Sequence, residues 1–322
     1  MRALVVSNML PDAAHPERGR FVRDQVFALR RLEDLDLEFY EYPPGARALA
    51  RAGADLGRRF ALRSAGGRRR HQQRFDVVHA HFGLTAWPAL AAPARVRALT
   101  VHGTDLHHPR TRLATAAVLP LIDLLAAVSA SLVQELPGRA ARRRAQVLPC
   151  GVDLERFRPL PRAQARAELG LDPERPYLLF PADPSRPHKR HDRALALARD
   201  CGAELLALGA VDPLLVPLWM NAANAVLVPS EREGFGLAVL EALACDVPVL
   251  ATPVGIHAEA LAGVQGTLCT PFDLAGWRAA LQPHLTALDP RVEGRASAMR
   301  FSAQSMAERV LAAWRAALER SG

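Results

Sequence analysis

The chain has 322 residues, half of them hydrophobic and 23% charged. That profile excludes a disordered or fibrous protein, and the length suits two domains better than one. A formal net charge of +8, carried almost wholly by arginine, permits attraction to phosphates of any kind without choosing among nucleic acid, anionic lipid and a nucleotide ligand.

The opening MRALVVSNMLPD lacks the long apolar core and small-residue cleavage site of a secretory signal, and reads as a first strand. Further short apolar runs follow at 35–42, 75–81, 98–103, 124–129 and 145–151, with helical periodicity between several of them, as in FVRDQVFALRRL (21–32). Strand and helix in alternation predict a parallel sheet covered by helices. Within this half, the arginine-dense block Arg47–Arg74 reads either as a solvated helix or as a face that docks on anionic membrane lipids. The stretch 113–133 has the length of a membrane span but carries Pro120 and Asp123 at its middle, so a helix followed by a buried strand explains it better.

Prolines interrupt the pattern at 152–164, and a second set of apolar runs begins at 176–183, 203–209, 225–230, 248–252 and 266–270. The tail 302–320 is one amphipathic helix, with Met306, Val310, Trp314 and Leu318 on a stripe. The expected architecture is α/β: two Rossmann-like doubly wound domains facing a cleft. Their expected bounds are 1–157 and 158–301, with a helix over 302–322 crossing back to the first. Four widely spaced cysteines (Cys150, Cys201, Cys245, Cys269) form no C-x-x-C, which argues against a disulfide framework or zinc knuckle and fits a reducing cytoplasm.

Ligands of such sheets collect at the carboxyl ends of strands. That rule picks out His79 and His81, His102 and Asp105, the segment Asp183 to Lys189, and Glu233, and expects them to look into one interdomain cleft. The most informative stretch is EREGFGLAVLE (231–241), between two apolar runs. A helix starting near Gly236 would point free N–H groups and its positive dipole end at a ligand, a site suited to a diphosphate. Glu233 precedes that helix and Glu241 lies on it, so two carboxylates are spaced along the ligand.

With that motif the sequence resembles the retaining, metal-independent glycosyltransferases of the GT-B fold, family four. The likeness covers most of the chain, through PERGRFVRDQVFALRRL, FDVVHAHFGLTAWPAL, TVHGTD, AAVSASL, VLPCGVDLERFRP and PSEREGFGLAVLEALACDVPVLATPVG. It implies that Glu233 bonds donor-sugar hydroxyls, that Glu241 holds a ribose, and that the N–H groups of Phe235, Gly236 and Leu237 meet sugar and phosphate oxygens. It further implies that His102 reaches the donor sugar, that Gly19 lets its loop approach the donor, and that Arg186 and Lys189 neutralise the leaving diphosphate in place of a metal. Two departures stand out. The family's arginine slot falls on Asp183 or Pro184, leaving Arg186 as the nearby candidate, and Cys150 replaces a common asparagine. The implied partners are a nucleotide-sugar donor and a saccharide or lipid-linked acceptor, with no cofactor and no nucleic acid.

Other readings compete. Glu233 could simply cap its helix, Glu241 could be a surface residue, and His102 a satisfied core histidine. The histidines at 79, 81, 102, 107 and 108 with Asp105 could build a divalent-metal hydrolase site. A nucleotide-sugar epimerase of the same fold, a non-catalytic sugar-nucleotide-binding subunit and a basic nucleic-acid binder complete the set, although no aromatic stacking platform supports the last.

Overall fold

Apolar runs become strands buried on both faces, which is why they read as continuous rather than alternating hydrophobic segments. The computed structural model describes residues 1–13, 15–64, 74–209 and 211–321. They divide into two compact units: Met1–Ala13, Glu17–Gly151 and Ala303–Gly322 form the first, and Ala14–Pro16 with Val152–Ser302 the second.

The first unit holds β1 (Arg2–Ser7), β2 (Asp36–Glu41), β3 (Phe75–His81), β4 (Ala94–Val101), β5 (Leu124–Ala127) and β6 (Gln146–Val147), all parallel in the order β2-β1-β3-β4-β5-β6. Strand β6 is shorter than the run 145–151 because Pro149, lacking an N–H, ends the ladder after Leu148 donates to Ala127 O. The second unit holds β7 (Tyr177–Phe180), β8 (Glu204–Ala207), β9 (Ala225–Val228), β10 (Val249–Ala251) and β11 (Leu268–Cys269), also parallel, ordered β11-β10-β9-β7-β8. Both are doubly wound sheets in which strand order reverses beside the first strand. Their switch points fall between β1 and β3 and between β7 and β9.

The stretch 113–133 resolves into a helix ending at Val118, a 3-10 turn Leu119–Leu121 and buried β5. Among the described residues no helix is long and apolar enough to cross a membrane. The first part of the arginine-rich block is the helix Ala46–Ser64, while residues 65–73 lie outside the described residues.

The helix Ala303–Arg320 belongs to the first unit and buries Met306, Val310 and Trp314 against Ala3 and Val5 of β1 and Val22, Val26 and Leu29 of the helix Arg20–Arg30. Trp314 is fully buried, and its indole N–H donates to His79 Nδ1 at 3.1 Å. Indole can only donate, so His79 Nδ1 must be bare and its Nε2 carries the proton, donating to Thr100 Oγ1 at 2.8 Å. Burial lowers the His79 pKa to about 3, which keeps this tautomer neutral.

In the second unit a core of Leu178, Phe180, Leu197, Leu227, Leu250 and Trp277 supports the sheet. Two arginines secure the C-terminal end of the helix Leu237–Ala244: Arg295 Nη1 donates to Ala244 O at 2.8 Å and Arg291 Nη1 to Cys245 O at 3.1 Å. Cations there complement the negative end of the helix dipole. The two segments through which the chain enters and leaves this unit run side by side, with Val152 N–H donating to Phe301 O at 2.8 Å.

Candidate active site

At the switch point of the second sheet, the carboxyl ends of β7 and β9 diverge and leave a pocket of about 40 Å³. Phe180, Pro181 and Ala182 wall one side and Leu227, Val228 and Ser230 the other. Lys189, from the 3-10 turn Pro187–Lys189 that follows β7, and Glu233, from the loop after β9, also line it. Gly236, Leu237 and Ala238 close it with the start of the helix Leu237–Ala244. The first N–H groups of a helix have no intrahelical partner, so the pocket lies against a set of free donors at a positive dipole end.

Lys189 Nζ lies 2.7 Å from both carboxylate oxygens of Glu233, and Ser230 Oγ donates to Oε1 at 2.7 Å. The side chains are 19% and 9% exposed, so this is a largely buried pair. Burial alone drives the Glu233 carboxyl up, but the Lys189 ammonium, its hydrogen bonds and the Ser230 hydroxyl outweigh that and hold it below its ordinary value. Glu233 is therefore an ionised pocket residue, and its carboxylate turns to Lys189 and Ser230 rather than capping the helix.

The loop after β10 braces this arrangement. Thr252 Oγ1 donates to Ser230 O at 2.5 Å, and Ile256 N–H donates to Phe235 O at 2.9 Å. Gly236 is the N-cap, with φ +104, and a β-carbon there would meet His257 Cδ2 at 2.6 Å and its Nε2 closer still. Backbone strain and steric overlap both oppose a side chain. Gly236→Ala is expected to lower unit stability by about 2–4 kcal/mol and to weaken ligand binding in the pocket; calorimetry on the variant checks this.

In the first unit, Gly19 caps the helix Arg20–Arg30 in a left-handed conformation, φ +69, where a β-carbon would sit 2.7 Å from Met9 Cβ. The helix then turns Phe21 onto His102, with ring centroids 4.8 Å apart; Phe82 packs at 4.8 Å as well. His102 Nε2 lies 2.9 Å from His81 Nδ1, and burial lowers its pKa to about 3. Asp105 holds the loop that carries it: the buried carboxylate accepts from the N–H groups of His102 (3.1 Å), Gly103 (2.9 Å) and Gly83 (3.3 Å).

Burial raises the Asp105 pKa to about 6, although those N–H groups pull it down. A carboxyl raised above its unfolded value adds stability below pH 4 that is lost as pH rises through 6. The stability difference between wild type and Asp105→Asn should therefore change across pH 4–6 and level off above it, as measured by denaturant unfolding.

The structure thus brings Lys189, Glu233, Gly236 and Leu237 together in one pocket of the second unit. Phe235 is buried beside them with its ring on Phe301, 6.3 Å between centroids. Glu241 is half-buried on the same helix, outside the lining, and Arg186 is exposed at the start of the Lys189 turn. His102 and Gly19 belong to the first unit. Of the histidine cluster weighed as a metal site, His79, His81 and His102 bond to Thr100, Trp314 and one another. Among the described residues no three His, Cys, Asp or Glu side chains converge as a metal site. Sequence reasoning missed Ser230, Thr252 and His257. Applying the carboxyl-end rule to the run 248–252 would have pointed to the last two.

Known proteins share this architecture. Over 97–98% of both chains, the fold matches sucrose-phosphate synthase from Thermosynechococcus elongatus (TM-score 0.70, 18% identity) and Anabaena Alr3699/HepE in complex with UDP-glucose (TM-score 0.67, 16% identity). Two doubly wound parallel sheets with these neighbours define a GT-B glycosyltransferase fold. Residues 18–156 match the family described as Glycosyltransferase Family 4, and residues 184–286 the one described as Glycosyl transferases group 1. A D-inositol 3-phosphate glycosyltransferase from Frankia alni is 32% identical over 308 residues, covering 76% of this chain and 75% of that one. The chain belongs to glycosyltransferase family 4.

Proposed function

We propose that this glycosyltransferase moves a sugar from a nucleotide-diphosphate donor to a saccharide or lipid-linked acceptor with retention of anomeric configuration, and that it needs no metal. The observation that carries this is the Lys189–Glu233 pair beside the free start of the helix Leu237–Ala244: a cation and N–H donors for the diphosphate, and an anion for sugar hydroxyls, in one pocket. Lys189 and Glu233 satisfy each other's charge across the pocket. A donor would divide them, drawing Lys189 to phosphate and leaving Glu233 to accept from hydroxyls. Glu241 would hold the ribose, Arg186 would add a second cation, and His102 with the Gly19 loop would approach the sugar from the first unit. Departure of the diphosphate builds negative charge where these donors already point, so they favour the transition state over the ground state. A leaving-phosphate oxygen then takes the acceptor's proton while attack comes from the same face, which needs no protein base.

The test is a thermal-shift panel of sugar nucleotides, beginning with UDP-glucose, followed by NMR of the product linkage. An inverted anomer, turnover abolished by chelator, or an epimerised donor without acceptor would each overturn part of the reading. The four cysteines, all free, support a cytoplasmic setting. The exposed arginines 47, 51 and 58 of the helix Ala46–Ser64 support peripheral contact with an anionic bilayer. Salt-sensitive flotation with phosphatidylglycerol vesicles, lost in a triple glutamine variant, is the expected result.

A further inference from the structure

His257 opens the short helix His257–Leu261 after β10, and its side chain is fully buried. Its Nδ1 lies 2.8 Å from the main-chain oxygen of Thr252. A carbonyl only accepts, so Nδ1 carries a proton, and Nε2 of the neutral ring is a bare lone pair. That Nε2 is buried with no hydrogen-bond partner among the described residues. It fills the place where a β-carbon of Gly236 would sit, against the N-cap of the helix Leu237–Ala244.

A buried nitrogen left unsatisfied is costly, and this one sits behind the helix end that meets the pocket. The charges acting on it are Glu233 and Lys189, from the loops on either side of the pocket. The facing first turn, Leu237 to Val239, is uncharged, and Glu259 on its own helix is exposed and paired with Arg300 at 3.4 Å. Burial and the Lys189 charge hold the imidazole below its ordinary value, against the pull of Glu233. A diphosphate would bring negative charge to that same helix end and reverse the balance.

We propose that His257 is a positioning residue whose Nε2 takes up a proton from solvent when a diphosphate enters, so that the Gly236 turn is backed by a cation only in the occupied pocket. This rests on the diphosphate reading given above. Its consequence is a donor affinity that falls as pH rises between the free and bound titration midpoints of His257, by up to tenfold per pH unit.

The test uses the full chain with isotope-labelled histidine, followed by NMR from pH 5 to 8 without and with UDP-glucose, whose doubly esterified diphosphate lacks the ionisation near pH 6 of a terminal phosphate. The His257 midpoint should rise on binding. In His257→Asn the amide can still donate to Thr252 O, so the fold should persist while Nε2 is gone. That variant should bind several-fold more weakly near pH 6, approach wild type at pH 8 and lose the slope. His188→Asn, removing the other histidine near Lys189 and Glu233, should keep it. An unmoved His257 midpoint at saturation, or equal weakening of His257→Asn at every pH, overturns the proposal while leaving the diphosphate reading standing. If neither UDP-glucose nor any other sugar nucleotide binds the wild type, both fall together.

Discussion

Replacing Lys189 with alanine is expected to cut kcat/KM by about a hundredfold or more, the loss that follows when one preorganised donor, worth ~3 kcal/mol, is removed from a developing anion. A second effect runs in parallel. Glu233 would be left largely buried with Ser230 as its remaining side-chain partner, and breaking a buried pair from one side costs about 3–5 kcal/mol of stability. The two effects separate in a double variant. Lys189→Met with Glu233→Gln removes both charges at similar volume, so the melting temperature should recover most of its loss while turnover stays at least as low as in Lys189→Ala. Kinetics and melting curves on the single and double variants decide the matter. Wild-type turnover in Lys189→Ala, or activity regained in the double variant, would contradict the assignment.

The second large effect lies far along the chain. Trp314→Ala should destabilise the first unit by about 3–5 kcal/mol, the range for truncating a fully buried aromatic residue. Trp314→Phe isolates one part of that loss. It keeps a ring in the core but removes the donor to His79 Nδ1, and a buried acceptor left unsatisfied costs about 1–3 kcal/mol. Chemical denaturation of both variants would measure the two parts. A Phe variant as stable as wild type would show that the indole hydrogen bond adds nothing net.

Strand positions were legible because parallel sheets bury both strand faces, so that ALVV, DVVHA and AVLV announce themselves as unbroken apolar runs. The pocket helix was legible because a glycine interrupts an apolar stretch between two such runs, and only a β-carbon-free residue tolerates φ +104 against His257. Strand order was not legible from local patterning, since crossover direction leaves no mark on a short segment; the switch point at β7 and β9 emerged only from the pairing. Nor could the sequence disclose that Lys189 meets Glu233, 44 residues away, or that His79 faces a tryptophan 235 residues further on. Those contacts are set by how the sheets wind. His257 escaped notice for a related reason: its neighbours in the chain are unremarkable, and its importance comes from standing in a space that Gly236 leaves open.

The first unit is completed by a segment that follows the whole second unit in the chain. On the ribosome, therefore, the sheet that begins at Arg2 has to wait for Trp314 before its hydrophobic face is sealed, whereas every strand of the second unit lies within the continuous stretch from Val152 to Ser302. The nascent protein should acquire protease resistance out of order, later half first. The interval before Trp314 is made is when its early half most needs a chaperone.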